Sequence, residues 1–402
     1  MLPLEEARAR VLGAVRPVGV EWLALPDALD RVLASDLRAR HDQPPAAVSA
    51  MDGYAVRAAD TDPPGRWLEI VGEARAGGPI GRPLRPGEAA RIFTGAPLPP
   101  GADAVAIQEN AETRDGRVRF SRASRPGEFV RPAGLDFRAG ELLLSAGSVL
   151  DPRRIGMAAA AGHAWLPVRR RPRVAILATG DELLWPGEPV VPGRVAASNS
   201  VALAGLVRRL GGEPLDLGIA PDTAEGLARA LDRMATVDLL VTSGGASVGE
   251  YDLVRRALGT RGLELDFWRV AMRPGKPLIF GRLGEVPVLG VPGNPVSALV
   301  CGIVFLRAML LAMLGLGPDL PVEPTPLARS VPANDERFDH LRARFLEREG
   351  RRLVEPAERQ DSSMLATLAR ADALILRPPF APPVGAGADV PCVPLERALR
   401  LS

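Results

Sequence analysis

The chain has 402 residues, enough for two to four domains, and Lys plus Arg number 50 against 48 Asp plus Glu. That balance excludes a global electrostatic pull toward nucleic acid. Two cysteines (Cys301 and Cys392) and three histidines (His41, His163 and His340) are too few and scattered for a disulfide framework, a Cys or His metal cluster, or an obvious triad; they fit a reducing, cytoplasmic setting.

Glu5, Glu6, Arg8 and Arg10 interrupt the N-terminus before any apolar core, so no secretory leader is expected. Residues 1–36 read as helical, with Leu4, Ala7, Val11, Leu12 and Val15 on one face and a second short helix from Pro26 to Leu33. From His41 the text is turn-rich. Short extended runs then follow at Trp67 to Val71, Ala89 to Phe93, Ala104 to Gln108 and Val118 to Phe120. These predict a small β-rich module, 41–138. Residues 141–168 are helix-compatible again, and we expect one helical linker domain built from 1–40 plus 139–171. Arg169 to Arg173 reads as a solvated boundary, because no aromatic residues interleave with the arginines.

Residues 172–318 alternate strand and helix. Ser198-Asn199-Ser200 is positioned to cap a helix Val201 to Leu210, ended by Gly211-Gly212. Asp222 with Glu225 suggests a capping box for a helix Thr223 to Met234. The alternation predicts a central, doubly wound, mostly parallel sheet in a multidomain α/β protein. Leu299 to Leu316 is nearly all apolar, but Arg307 in its middle would cost about 2.5–3.5 kcal/mol in a bilayer, so a buried helix is expected. Residues 319–402 read as a C-terminal small β-barrel or sandwich. Its strands lie near His340 to Glu347, Leu353 to Glu355, Ala373 to Leu376 and Val390 to Val393, with Leu341, Ala343 and Phe345 to one side and Arg342 and Arg344 to the other. No internal repeat is visible.

The chemistry gathers at three glycine corners. Leu239 to Val241 enters Ser243-Gly244-Gly245-Ala246-Ser247-Val248-Gly249, then Glu250-Tyr251-Asp252 and a helix Leu253 to Leu258. Val174 to Ala178 enters Thr179-Gly180-Asp181-Glu182-Leu183. Val286 to Val291 enters Pro292-Gly293-Asn294-Pro295-Val296-Ser297-Ala298. Glycine lets backbone N–H groups approach an anion, and a helix start adds partial positive charge. If the strands are parallel, all three corners leave one sheet edge, where open α/β sheets bind ligands. Asp252 would repel a phosphate, so a bridging cation is expected. Arg273-Pro-Gly-Lys276-Pro is not a Walker motif, yet it holds Lys276 in a rigid turn where it can meet an anion.

These motifs, in this order, resemble the molybdopterin-binding domain of molybdenum cofactor biosynthesis. Met51-Asp-Gly-Tyr-Ala55 and Thr94-Gly-Ala-Pro-Leu-Pro-Pro-Gly-Ala-Asp103 extend the resemblance to the molybdopterin molybdenumtransferase family, related to the gephyrin E domain. The resemblance implies insertion of molybdate into the dithiolene of adenylylated molybdopterin, with release of AMP, a divalent cation such as Mg2+, and a cytoplasmic homodimer. It implies that the active site forms between the binding domain of one subunit and the β module of the other. Partners implied are molybdopterin adenylyltransferase and molybdoenzyme chaperones. By motif, Asp52, Thr94, Asp136, Glu182, Asp222 and Asp252 become catalytic candidates, the last three also metal ligands. Ser243, Gly244, Gly245, Ser247, Gly249, Arg273, Lys276, Pro292, Gly293, Asn294, Pro295, Ser297 and Ser362 become substrate candidates. Arg273 stands where the family commonly has Lys, Leu135 where an acid is usual before Asp136, and Asp361 where Gly is usual before Ser362. Simpler roles stay open: Asp52 capping the Gly53 turn, Thr94 as a turn hydroxyl, Asp222 as a helix cap. Two other functions stay open as well, a molybdopterin adenylyltransferase and a non-catalytic gephyrin-like scaffold.

Overall fold

The computed structural model describes residues 1–232, 234, 236–244 and 262–401. It divides into two compact units. The first comprises Met1–Glu21, Asp30–Ala34 and Pro167–Ser402, and the second Trp22–Leu29 and Ser35–Leu166.

The first unit is built on a six-stranded sheet. Its order is Glu213–Ala220, Arg173–Thr179, Leu239–Ser243, Val286–Val291, Pro277–Leu283 and Leu263–Arg269. The first four strands are mutually parallel; Pro277–Leu283 runs against both its neighbours, so the sheet is mixed. Val174, Ala175, Ile176, Leu177 and Ala178 are all buried, the unbroken apolar run of a strand covered on both faces. The chain leaves Arg173–Thr179 by helix Ser198–Arg209 toward one side and returns by helix Ala224–Asp232 past it to the other. Right-handed crossovers in opposite directions put those helices on opposite faces. Leu227 and Leu231 of the second helix pack on Ala175, Leu177, Leu240 and Val288.

Two helix starts differ from expectation. Helix Ser198–Arg209 begins at Ser198 with Ala197 at its cap and no side-chain cap bond, so Asn199 is freed for another role. In the next helix Thr223 Oγ1 accepts from Gly226 N (3.0 Å), which moves the cap one residue past Asp222 and replaces the Asp222–Glu225 box. The expected helix from Leu253 to Leu258 lies outside the described residues. In the apolar segment Pro295–Met313, 89% of its most apolar 18-residue stretch is buried. Arg307 within it donates to Asp319 O (2.8 Å), so its charge is answered by a carbonyl.

The C-terminal strands form a second six-stranded sheet. Met272–Arg273, Phe338–Arg348, Ala373–Arg377, Asp389–Pro394 and Glu323–Pro326 follow in order, with Arg351–Pro356 on Phe338–Arg348. A single bridge, Leu327 to Val354, joins the far end back to Arg351–Pro356. Leu341, Ala343 and Phe345 share one apolar cluster, as the alternation predicts. Arg342, on the opposite face, is not solvated. It is 1% exposed, and its Nε and Nη1 donate to Gln360 Oε1 (3.0 Å) and Asp361 O (2.7 Å).

The second unit carries a sheet in the order Ala104–Ile107, Gly53–Val56, Glu88–Ile92, Leu68–Ala74, Arg117–Phe120, Ala111–Arg114. The helical reading of 1–36 holds only for Leu4–Gly13. Val20–Ala24 is a strand, and the expected helix from Pro26 is one 3-10 turn, Leu25–Ala28. Pro17 and Gly19 stop the helix, and Val20 and Trp22 suit an extended chain. Within 141–168 the helix is Pro152–Ala160, with strands Leu142–Leu144 before it and Trp165–Arg169 after it. Asp151 caps that helix by accepting from Arg154 N (2.9 Å), with Pro152 in its first turn.

Leu177 is fully buried at the centre of the main sheet. Leu177→Ala is expected to lower unfolding free energy by about 2–5 kcal/mol in urea titrations. An unchanged midpoint would place this residue outside the core.

Candidate functional site

Hydrogen-bond register puts the three glycine corners level. Ala178 pairs with Ser243, and Ser243 with Val291, so the chain turns out of three adjacent strands at one edge. Gly244 has φ +97°, and a side chain there would begin 2.2 Å from Thr179 O. Only glycine lets these two backbones touch. Gly293 lies against Gly244 on the other side. Together the corners floor a pocket of about 470 Å³.

Asn199, in the first turn of its helix, crosses that floor. Its Nδ2 donates to Ser243 Oγ (2.9 Å) and to Gly293 O (2.8 Å). Glu182 is exposed on the wall, its carboxylate folded over Gly180, whose φ is +149° and whose added Cβ would meet Oε2 at 2.4 Å. Pro292, Asn294, Pro295 and Ser363 complete the rim near the C-terminal sheet. Asn294 donates to Ser362 Oγ (3.0 Å). Asp361, the residue in the usual Gly position, accepts from Ser363 N (2.8 Å) and Oγ (2.6 Å). Those two bonds hold its carboxyl below the ordinary carboxylate value.

Other candidates lie apart. Asp222 stands beside the Gly180 corner, where its Oδ2 accepts from Asp181 N (3.4 Å) and its N donates to Asp181 Oδ1 (3.2 Å). Ser297 is buried in the helix behind the rim. Arg273 does not line the pocket: it is ion-paired to Asp335 (2.9 Å) and to Asp339. Lys276 is exposed next to Pro277, which does line the pocket, and among the described residues no bond engages its ammonium. Gly245, Ser247, Gly249 and Asp252 lie outside the described residues.

In the second unit Asp52 and Thr94 meet directly. Asp52 Oδ1 accepts from Thr94 N (2.8 Å) and Thr94 Oγ1 (2.9 Å). The Thr94 N–H first, then its hydroxyl, and Arg91 more weakly, hold the Asp52 carboxyl below its ordinary value. Asp52 therefore organises the turn at Thr94. Asp136 is exposed on a turn whose N–H donates to Gln43 O (2.9 Å).

Three family models match in sequence: a MoeA N-terminal region (domain I and II) over residues 2–162, a probable molybdopterin binding domain over 175–312, and a MoeA C-terminal region (domain IV) over 324–395. A molybdopterin molybdenumtransferase of Haemophilus influenzae is 37% identical over 75% of this chain and 74% of its own. One from Bacillus subtilis is 33% identical over 94% and 90%. The chain belongs to the molybdopterin molybdenumtransferase family. It is a transferase of molybdenum cofactor biosynthesis. The crystal structure of a molybdopterin biosynthesis MoeA protein from Pyrococcus horikosii superposes with a TM-score of 0.87 at 31% identity, covering 98% of this chain and 99% of that one. The fold is thus MoeA-like, multidomain and α/β.

Sequence reading missed Asn199 and Ser363. Asn199 was hidden because a polar triplet before a helix looks like a cap. One available signal went unused. Lys276 is the single lysine of a chain whose other permanently cationic side chains are all Arg. A lone Lys differs from its Arg neighbours in presenting a compact ammonium and not a planar fork.

The Asp52–Thr94 bonds also predict a pH response. The Asp52 carboxyl has its folded-state value depressed below 3.8, so its stabilisation is present above 3.8 and lost as pH falls through the folded value. Thr94→Val removes the hydroxyl but keeps the N–H. In carboxyl-carbon NMR titrations the Asp52 midpoint should rise part-way toward 3.8. A midpoint that does not move would remove the hydroxyl from this account.

Proposed function

We propose that this molybdenumtransferase inserts molybdate into the dithiolene of adenylylated molybdopterin, releasing AMP and finished cofactor. The observation that carries the reading is the levelling of three glycine corners around one pocket. The first turn of helix Ser198–Arg209, which lines the pocket, suits the ligand's phosphates, and Lys276 on the adjacent turn suits a dianion such as molybdate. The four-segment division read from sequence, the cytoplasmic setting and the homodimer belong to this proposal. So does the assignment of Asp52, Thr94 and Asp136 to the reaction.

Magnesium fits the residues in a limited way. Among the described residues no group of three Asp, Glu, His or Cys side chains could hold a metal. Magnesium, however, is commonly bound by one or two carboxylates plus substrate phosphates. Glu182 on the pocket wall supplies one such carboxylate, and Asp222 and Asp252 are the further candidates. When bound, the cation would neutralise charge at the phosphoanhydride. The protein's part is to hold the phosphates on amide dipoles and keep the oxyanion beside Lys276.

Purified protein should release AMP from adenylylated molybdopterin only when molybdate and magnesium are present. If free molybdopterin with ATP instead accumulates the adenylylated pterin, the adenylyltransferase assignment replaces this one. Lys276→Ala should lower kcat/KM by about 10- to 100-fold, the scale of one charge-assisted bond, with melting temperature unchanged. Lys276→Arg should recover little of the loss. Full activity in Lys276→Arg would mean that charge alone matters there.

A further inference from the structure

We infer that Asn199 is a positioning residue that fixes the hydrogen-bonding polarity of the pocket floor. The inference rests on the proposed function and adds a role for a residue outside its motifs. Gly293 O can only accept, so the Asn199 atom 2.8 Å from it must be the amide nitrogen. That same nitrogen lies 2.9 Å from Ser243 Oγ. An amide NH2 only donates, so the Ser243 oxygen accepts there and its own hydrogen must turn elsewhere. Ser243 is buried at 3% exposure, ends its strand in the pocket floor, and has no other side-chain bond among the described residues. Its O–H is therefore set as a donor to whatever occupies the pocket.

The second bond does complementary work. An unengaged Gly293 carbonyl would present a negative dipole end to an anionic ligand, and Asn199 ties it up. One side chain thus turns a neighbouring hydroxyl toward the anion and masks a neighbouring carbonyl from it. It also ties the Ser243 corner to the Gly293 corner. The helix gives Asn199 no other duty, since it begins at Ser198 with no side-chain cap bond. An aspartate of the same shape could do neither job: it would draw the Ser243 O–H to itself and oppose the Gly293 carbonyl.

The test uses the full chain with two readouts, calorimetric AMP binding and molybdate-dependent AMP release. Asn199→Ala and Ser243→Ala should each weaken AMP binding and raise KM about tenfold, with kcat changed less than about twofold, the scale of one neutral hydrogen bond. The double variant should be no weaker than about the worse single one, because the two residues act as one unit. Asn199→Asp should bind AMP more weakly than Asn199→Ala at neutral pH and recover as pH falls through the carboxylate range. A residue that merely braces the fold would show neither that order nor that recovery. Additive losses, an Asn199→Asp variant that binds like wild type, or wild-type protein that does not bind AMP would each overturn the inference. Wild-type protein that binds AMP but transfers no molybdenum would fail the proposed function alone. The binding series would then still decide the role of Asn199.

Discussion

Parallel register among three adjacent strands is the constraint from which this molecule's pocket follows. Ala178, Ser243 and Val291 stand side by side, so the residues after them turn out at one height. Backbones that turn together must pass within contact distance, and a Cβ at Gly244 would overlap Thr179 O. Glycine at that corner is therefore a steric requirement of three-strand convergence. The same convergence brings Ser243, Gly293 and the first turn of helix Ser198–Arg209 to one pocket.

The C-terminal sheet takes part in shaping that edge. Met272–Arg273 pairs with Phe338–Asp339, and the Arg273 guanidinium bridges Asp335 and Asp339. Ser362 O and Oγ reach Val296 N and Asn294 Nδ2 (3.1 and 3.0 Å), at the start of the buried helix. Arg342, sealed under Gln360, holds the chain just before those serines through Asp361 O. The rim is thus an assembly of two sheets within one unit. Arg273 serves as its cross-tie, while the ammonium of the neighbouring Lys276 makes no bond to a described residue.

Several sequence expectations failed for physical reasons that are visible in single residues. Arg342 alternates with apolar neighbours and so reads as solvent-facing, yet Gln360 satisfies both its backbone and its side chain and allows burial. Asp222 with Glu225 has capping spacing, but Thr223 takes the cap and Asp222 pairs with Asp181 across strands. Trp165 to Val168 follows an alanine-rich helix and reads as its continuation, although Gly162 and Pro167 disfavour helix.

Local text was enough for the alternation of strand and helix, the corners at Gly180, Gly244 and Gly293, and the Asp52 and Thr94 motifs. These depend on neighbours a few residues away, through burial period, backbone freedom and turn chemistry. Pairings across long separations were beyond it. That Asn199 meets Ser243 and Gly293, that Asp52 grips Thr94 and not the Gly53 turn, and that Arg273 joins the C-terminal sheet are contacts between residues 42 to 94 positions apart. Which donor finds which acceptor is set by strand order and register. Those emerge only when the whole core packs, because each strand's place is chosen by the burial of all the others.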